Sequence, residues 1–332
     1  MLDALRRPSV IFGAGFGVLI SLLCFFPEVF SLHTVTGFVH FTAMRPFALA
    51  VVGGATLLGF LLWAFWRSPM LLAMLVVVAL FTGIVGVQWA SKGLRNTAEV
   101  AAPSGDKLTV VSANVLIGND SYDRLFKRIS DTDADIVALQ EAAHTTVEDK
   151  LEKFGLSDAY LVTPETPTAS PTDADSLVMV KHDLEPEVID AHSLPFATAG
   201  VRTSLGEFYS IHAHAPVQSA VEQRNWAHSV KTERDICERA TLIAGDFNAT
   251  TDSPLMRTGR CSDSAEELNM GARGSWPSKW SSMLGARIDH HLYNPEVLTP
   301  YKGEMFVIDG SDHRGLEFSY AFQDADGSAQ DQ

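Results

Sequence analysis

The chain has 332 residues, room for two or three domains, and carries 25 Lys+Arg against 40 Asp+Glu, a net charge of −15 with histidine neutral. Only six of the basic and three of the acidic residues precede Pro103, so residues 103–332 carry a net charge of −18. A surface of that sign repels polyanions and argues against extended nucleic acid as a substrate.

Three apolar stretches fill the first hundred residues: Val10 to Phe26, Phe47 to Trp66 and Met70 to Trp89. Each is near the roughly 17–25 residues that cross a bilayer. They predict a transmembrane region over 1–92, with spans at about 10–30, 45–66 and 69–89. A cleavable signal peptide explains the first run alone and leaves the other two without a reason. Trp63, Trp66 and Trp89 lie near span ends, where amphipathic rings favour the interface. Arg6 and Arg7 before the first span, and Arg67 in the short turn between the second and third, read as cytoplasmic. That places everything after Trp89 outside; Lys92 and Arg95 argue the other way.

Residues 93–106 are small, polar and interrupted by Pro103 and Gly105, the composition of a linker. From Lys107 to residue 322, short apolar strands alternate with polar loops and a few helices. "KLTVVSANV", "DIVALQEA", "SLVMV" and "GEFYSIHAHAP" read as strands; "YDRLFKRISDTD" and "SAVEQRNWAHSVKTERDICERA" have helical spacing. The pattern predicts an α/β fold, a four-layered sandwich of two packed mixed sheets flanked by helices. The last ten residues, 323–332, read as a frayed tail. Cys237 and Cys261 both fall in the outer part, where a disulfide and two reduced thiols are equally consistent with the sequence.

Polar residues recur where these apolar segments stop. Asn114 follows "LTVVSA", Glu141 follows "DIVALQ", His212 follows "EFYSI", and Asp246 and Asn248 follow "LIAG"; Asp289, Asp312 and His313 come near the end. In "AGDFNAT" an acid and an amide flank Phe247, which by itself suits a turn with an Asx cap. Strand ends meeting along one edge of a sandwich would bring the whole set together. There is no internal repeat, glycine-rich phosphate loop, G-x-S-x-G elbow or cysteine–histidine zinc cluster to suggest another chemistry.

The pieces "SANV", "ALQE", "SIHAHAP", "AGDFNAT", "RIDHHL" and "SDHRG" resemble, in order over residues 107–322, the endonuclease/exonuclease/phosphatase superfamily, which includes DNase-type nucleases, inositol-polyphosphate phosphatases and neutral sphingomyelinases. The resemblance implies water attack on a phosphoric ester with Mg²⁺ or Mn²⁺. Glu141 would ligate the cation, with Asn114 holding that site or the phosphate and Asp312 a further ligand or supporting acid. Asp246 would deprotonate the water and Asn248 would bind the phosphate. His313 would contact the phosphate with Asp289 orienting it, and His212, at H-x-x-x-P spacing before Pro216, would stabilise the leaving oxygen. His214 and Lys181 are weaker candidates for substrate contact; His290 and His291 read as polar strand positions. Two departures matter: Lys181 and His182 stand where many members carry Ser-Arg, and Leu116 stands where some nucleases place a second acid.

The sequence therefore predicts a membrane-anchored, extracytoplasmic, metal-dependent phosphoesterase acting on a membrane lipid or lipid-linked phosphate, with no protein partner predicted. A surface nuclease or nucleotide phosphatase is the alternative within the same chemistry. A non-catalytic phospholipid-binding scaffold is the alternative outside it, opposed by retention of the expected acids and histidines.

Overall fold

Three long helices account for the apolar first hundred residues: α1 (Pro8–Phe25), α3 (Arg45–Trp66) and α4 (Pro69–Ser91), with a short α2 (Phe38–Ala43) between the first two. The structure, a computed structural model, describes residues 7–164, 175–190, 193–194, 197–217, 219–257 and 259–323. Arg6, and the predicted frayed tail beyond Gln323, fall outside these residues. All three long helices are long and apolar enough to cross a membrane. At 1.5 Å per residue, the 22 residues of α3 reach about 33 Å, against roughly 30 Å of hydrocarbon. Helix α1 ends at Phe25, short of the predicted residue 30, because Pro27 cannot continue a helix and a 3₁₀ turn over Pro27–Phe30 follows.

The hydroxyls within these helices turn inward. Ser21 donates to the Gly17 carbonyl (2.8 Å), Thr56 to Val52 (2.7 Å) and Thr82 to Val78 (2.8 Å), so these three mid-helix hydroxyls are satisfied within their own helices. Their outward faces are apolar, with Leu57, Leu61, Phe65 and Val87 exposed. Gly13 and Gly17, four residues apart, let α1 approach α4: a Cβ at Gly13 would lie 2.2 Å from the Met70 carbonyl oxygen, and one at Gly17 2.8 Å from that of Met74. Small residues at this spacing pack helices where no hydrophobic force acts between them.

The rest of the chain builds two sheets. In order across the first lie β1 (Thr97–Glu99), β12 (Leu298–Val307), β13 (Arg314–Phe322), β2 (Lys107–Asn114), β3 (Ile136–Ala142), β5 (Asp175–Lys181) and β4 (Tyr160–Val162). Across the second lie β10 (Ser262–Asp263), β11 (Asp289–Tyr293), β9 (Leu242–Asp246), β8 (Gly206–His212), β7 (Thr198–Thr203) and β6 (Glu187–Val188). Alternate residues of both sheets, among them Val110, Val178, Phe208, Leu242 and Phe318, interdigitate in one core. The outer face of the first sheet is covered by α5 (Asp123–Thr132) and α6 (His144–Lys153) through Leu125, Phe126, Ile129 and Val147. The outer face of the second is covered by α7 (Ala220–Arg234) through Trp226 and Val230. This is the four-layered sandwich.

Strand direction creates the site. β2 runs parallel to β3 and β8 parallel to β9, so Asn114, Glu141, His212 and Asp246 all come at one edge. β11 and β13 run antiparallel to β9 and β2, so Asp289 and His313 reach the same edge from their strand starts.

Residues expected in a linker are part of this body. β1 pairs with β12, and the Gly271 and Ala272 N–H groups donate to the carbonyls of Lys92 (2.8 Å) and Gly93 (2.9 Å). Composition misled here because an edge strand of three residues needs no apolar run. The helix ends are clamped as well. Lys92 Nζ reaches Thr251 Oγ1 (2.8 Å) and Asp252 Oδ1 (2.9 Å), while Arg45 Nε lies 3.5 Å from Asp252 Oδ2 and Arg45 Nη1 donates to the Phe25 carbonyl (2.7 Å). Burial alone would raise the Asp252 carboxyl, but Lys92 and Arg45 outweigh it and hold it below its ordinary value.

Cys237 and Cys261 form a disulfide, with Cα atoms 5.8 Å apart and a sequence separation of 24. It staples the turn after α7 to the strand region before β10. Closing a loop of this length should stabilise the fold by about 3 kcal/mol. Reduction, or Cys261→Ser, should therefore lower the thermal midpoint of the purified protein by several degrees; an unchanged midpoint would show the bond to be idle.

Candidate active site

At the meeting edge the chain leaves ordinary backbone geometry. Glu141 (φ +55°), Leu116 (φ +68°) and Asn248 (φ +48°) are all left-handed without being glycine, and β3 bulges between Leu139 and Ala142. Such strain persists where surrounding contacts over-determine it, as at functional sites. Gly245 has φ +141°, and a Cβ there would meet the Ile211 carbonyl oxygen at 2.2 Å and Gln140 Nε2 at 2.8 Å. Only glycine lets β9 come this close to β8 just before Asp246.

Asp246 divides its two oxygens between two tasks. Oδ1 accepts the Asn248 N–H (2.8 Å), which is the Asx turn the sequence suggested. Oδ2 faces the cleft, 3.1 Å from Asn114 Nδ2, 3.7 Å from His313 Nε2 and 4.0 Å from His212 Nε2. Burial raises the Asp246 carboxyl to about 6, although His313 and His212 pull the other way. Asn248 is held from two sides: its Nδ2 donates to the Ala213 carbonyl (2.9 Å), and Trp226 Nε1 donates to its carbonyl (3.0 Å).

Glu141 lies beside it. Oε1 accepts from Asn114 Nδ2 (3.0 Å) and is 3.7 Å from His212 Nε2, while Oε2 accepts the Ile117 N–H (2.8 Å). Asn114 thus bridges Glu141 and Asp246 through its amide nitrogen, and its oxygen accepts the Leu116 N–H (3.1 Å).

His313 Nδ1 lies 3.0 Å from Asp289 Oδ2, and Ser275 Oγ in turn accepts the Asp289 N–H (3.2 Å). Burial alone would lower the His313 imidazolium, but Asp289 and Asp246 outweigh it and push it up to about 10. At neutral pH both ring nitrogens therefore carry protons. Asp312 Oδ2 accepts Trp276 Nε1–H (2.9 Å), whereas its Oδ1, 4.0 Å from His313 Nε2, is buried without a partner.

Eight of the ten candidates from the sequence, Asn114, Glu141, His212, Asp246, Asn248, Asp289, Asp312 and His313, thus gather at one edge. Lys181 does not. β5 runs antiparallel to β3, so Lys181 lies beyond Ile136 at the opposite edge, paired with Asp133 (2.9 Å) and Asp135 (3.0 Å). His214 was expected on the face of His212 by strand alternation, but β8 stops at His212 and the His214 N–H instead donates to Ser229 Oγ (3.0 Å) on α7. His290 and His291 are buried in β11: His290 lies between Asp263 (2.7 Å) and the Ala249 carbonyl (2.9 Å), and His291 between Ser112 (2.8 Å) and Tyr320 (3.1 Å). Burial lowers His291 to about 3, so it is neutral and structural. Trp276, Ser275 and Ser311, whose Oγ donates to the Asn114 carbonyl (2.7 Å) and accepts the His313 N–H (3.0 Å), support the site without having been picked out in the sequence. Ser311 opens the "SDHRG" motif, but no spacing marked it, Ser275 or Trp276 for a supporting part.

Residues 111–313 match the sequence profile of the Endonuclease/Exonuclease/phosphatase family. The chain belongs to this family. Endonuclease/exonuclease/phosphatase enzymes are metal-dependent phosphoric ester hydrolases, and by class so is this chain. Solved structures similar to it include a humanised TDP2 from D. rerio (20% identity, 64% of this chain and 98% of that one, TM-score 0.48). The human Nocturnin catalytic domain with bound sulfate anion is also similar (14% identity, 69% and 98%, TM-score 0.48). So is a family member from Bacteroides thetaiotaomicron (16% identity, 67% and 100%, TM-score 0.47). Among curated proteins none matches the chain.

The donor set fits the divalent cation such enzymes use. Glu141, Asp246, Asp289 and Asp312 offer hard carboxylate oxygens, and Asp312 Oδ1 is buried with nothing to satisfy it. Ligand-type atoms of Asp246, Asp289 and His313 lie within 4.8 Å of one another, and with His313 held as an imidazolium the carboxylates of this group are the ones with lone pairs to offer a cation.

Proposed function

We propose that the protein is a membrane-anchored phosphoesterase that uses Mg²⁺ or Mn²⁺ to hydrolyse a phosphate ester carried by a membrane lipid, on the extracytoplasmic side. One observation carries the lipid reading. The catalytic loop is bonded to the ends of the spans: Thr251, three residues after Asn248, accepts from Lys92 at the end of α4. Three residues extend at most about 10 Å, comparable to the roughly 5–8 Å of a headgroup layer. That short tether supports a phosphate at Asn248 lying within reach of the headgroup layer.

Orientation has two supports. Arg7 and Arg67 lie at the helix ends away from the domain, while of Arg45, Lys92 and Arg95 at the other end, which argue for the reverse, Arg45 is paired with Asp252 and Lys92 with Asp252 and Glu266 (3.4 Å). The Cys237–Cys261 disulfide suits an oxidising compartment.

Glu141 would hold the cation, since protonated His313 has no lone pair to give and Asn114 turns its nitrogen inward. When bound, the cation would draw charge from the phosphate oxygens and offset the crowded carboxylates. Asp246 Oδ2 takes the proton of the attacking water, Asn248 steadies that carboxylate and the phosphate, and His313 donates from Nε2 to a phosphate oxygen while Asp289 holds Nδ1. His212 steadies charge on the departing oxygen.

The test is headgroup or phosphate release by protein purified in detergent, on phospholipids, single-stranded DNA and a soluble phosphodiester. Turnover should need Mg²⁺ or Mn²⁺, vanish with chelator, and fall about 100-fold in Glu141→Gln at fixed metal, with partial recovery at higher metal. Turnover of DNA and not of any lipid would overturn the substrate reading.

A further inference from the structure

We infer that the loop of residues 276–284 is the part of the catalytic domain that enters the leaflet holding the three helices, and that the lipid reaches His313 along it. The inference rests on the lipid reading above. The loop is fixed to the site at several points. Trp276 Nε1 donates to Asp312, the Ser278 N–H donates to the Asp312 carbonyl (2.6 Å), and Ser278 Oγ donates to the Ser311 carbonyl (2.8 Å). Arg314, next to His313, binds the carbonyls of Gly274 (3.1 Å), Pro277 (3.3 Å), Ser278 (2.8 Å) and Trp280. Its tip is thus set at a constant height relative to His313.

That tip exposes two large apolar side chains and meets α3. Trp280 is 46% exposed and Leu284 40%, with Lys279 exposed between Ser278 and Trp280. The Trp280 ring centroid lies 6.2 Å from that of Phe47, in the first turn of α3. Trp89, in the last turn of α4, lines the cleft it shares with Arg45 and Lys92 at the same end of the helices. Single exposed apolar residues are ordinary, but a tryptophan touching the first turn of a span shares that span's depth. Indole favours the boundary between headgroups and acyl chains, and Lys279 beside it suits anionic lipid. The occupant of this surface is therefore the leaflet around α3. A lipid whose glycerol rests on Trp280 presents its phosphate to His313 without leaving the membrane.

The test places a polarity-sensitive fluorophore at Trp280→Cys, in a Cys24→Ser background, in nanodiscs doped with nitroxide lipids. A label at Ser157→Cys, near the opposite edge of the first sheet, is the control. Quenching at 280 well above that at 157 is expected. Equal quenching would overturn the inference whatever the enzyme hydrolyses, as would a label shielded from nitroxide that cross-links to a second copy of the chain. Strong quenching at 280 in a protein that turns over no lipid would support the inserted loop and sink the lipid-hydrolase reading instead. On active protein, Trp280→Ser should lower kcat/KM for phospholipid in vesicles about tenfold more than for the same headgroup on a short-chain monomeric lipid. Equal losses on both would overturn the loop's role in lipid entry.

Discussion

Asp246→Asn should lower turnover about 10²–10⁴-fold with the fold intact, and should remove the acid limb of the pH profile with it. The substitution keeps the shape that accepts the Asn248 N–H but takes away the carboxylate that burial has poised to accept a proton near neutrality. In the native enzyme Asp246, raised to about 6 by burial, must be ionised to act, so activity should rise as pH passes about 6. His313, pushed up to about 10 by Asp289 and Asp246, must be protonated to donate, so activity should fall as pH nears 10. The profile at saturating metal should be a plateau between these limbs. His313→Ala should cost about 10²–10³-fold and abolish the alkaline limb. An Asp246→Asn enzyme whose residual activity kept the native acid limb would assign that limb to another group. A His313→Ala enzyme of near-native rate would show that His313 does not touch the phosphate.

The positions that gather at the site were legible in the sequence because they sit where strands stop, and apolar runs ending in Asn114, Glu141, His212 and Asp246 mark those stops locally. The order of the motifs supplied what each short motif lacked. Lys181 shows the limit: it too ends an apolar run, but strand direction is set by the pairing of β5 with β3, which no local pattern records. His214 shows a related limit, since alternation assigns it a face only while the strand lasts and β8 stops at His212. β1 was hidden because an edge strand held mainly by its ladder can be small and polar. The polar connection beneath the site was invisible for a third reason. Asp263, Arg287, His290 and Ala249 meet from segments up to 41 residues apart, and charge at that separation leaves no periodicity.

That connection carries the largest stability effect expected. Arg287 Nη1 donates to both oxygens of Asp263 (2.9 and 2.8 Å), Nη2 to Glu266 (3.3 Å) and Nε to the Gly271 carbonyl (2.9 Å); Asp263 and Arg287 are both buried. Arg287→Met fits the volume but leaves the buried Asp263 charge with His290 and the Ala265 and Glu266 N–H groups and no guanidinium, which should cost about 3–5 kcal/mol. Burial alone would raise the Asp263 carboxyl, but Arg287 and His290 hold it well below the usual carboxylate range. A depressed carboxyl contributes stability that is present above its unfolded value near 4 and is lost only as pH falls through the lower folded one. The native protein should therefore keep this contribution well into acid, and Arg287→Met should lose it at all pH values above about 4. Arg287→Lys should fall between the two, because an ammonium cannot span both oxygens and the Gly271 carbonyl at once. Since His290 also holds the Ala249 carbonyl, three residues beyond Asp246, the loosened loop should lower kcat as well as the unfolding midpoint. Arg287→Met with Asp263→Leu discriminates the cause. If the buried unpaired charge is what destabilises, the double variant recovers most of the loss; if it is no more stable than Arg287→Met, the cost lies in the lost Glu266 and Gly271 contacts instead.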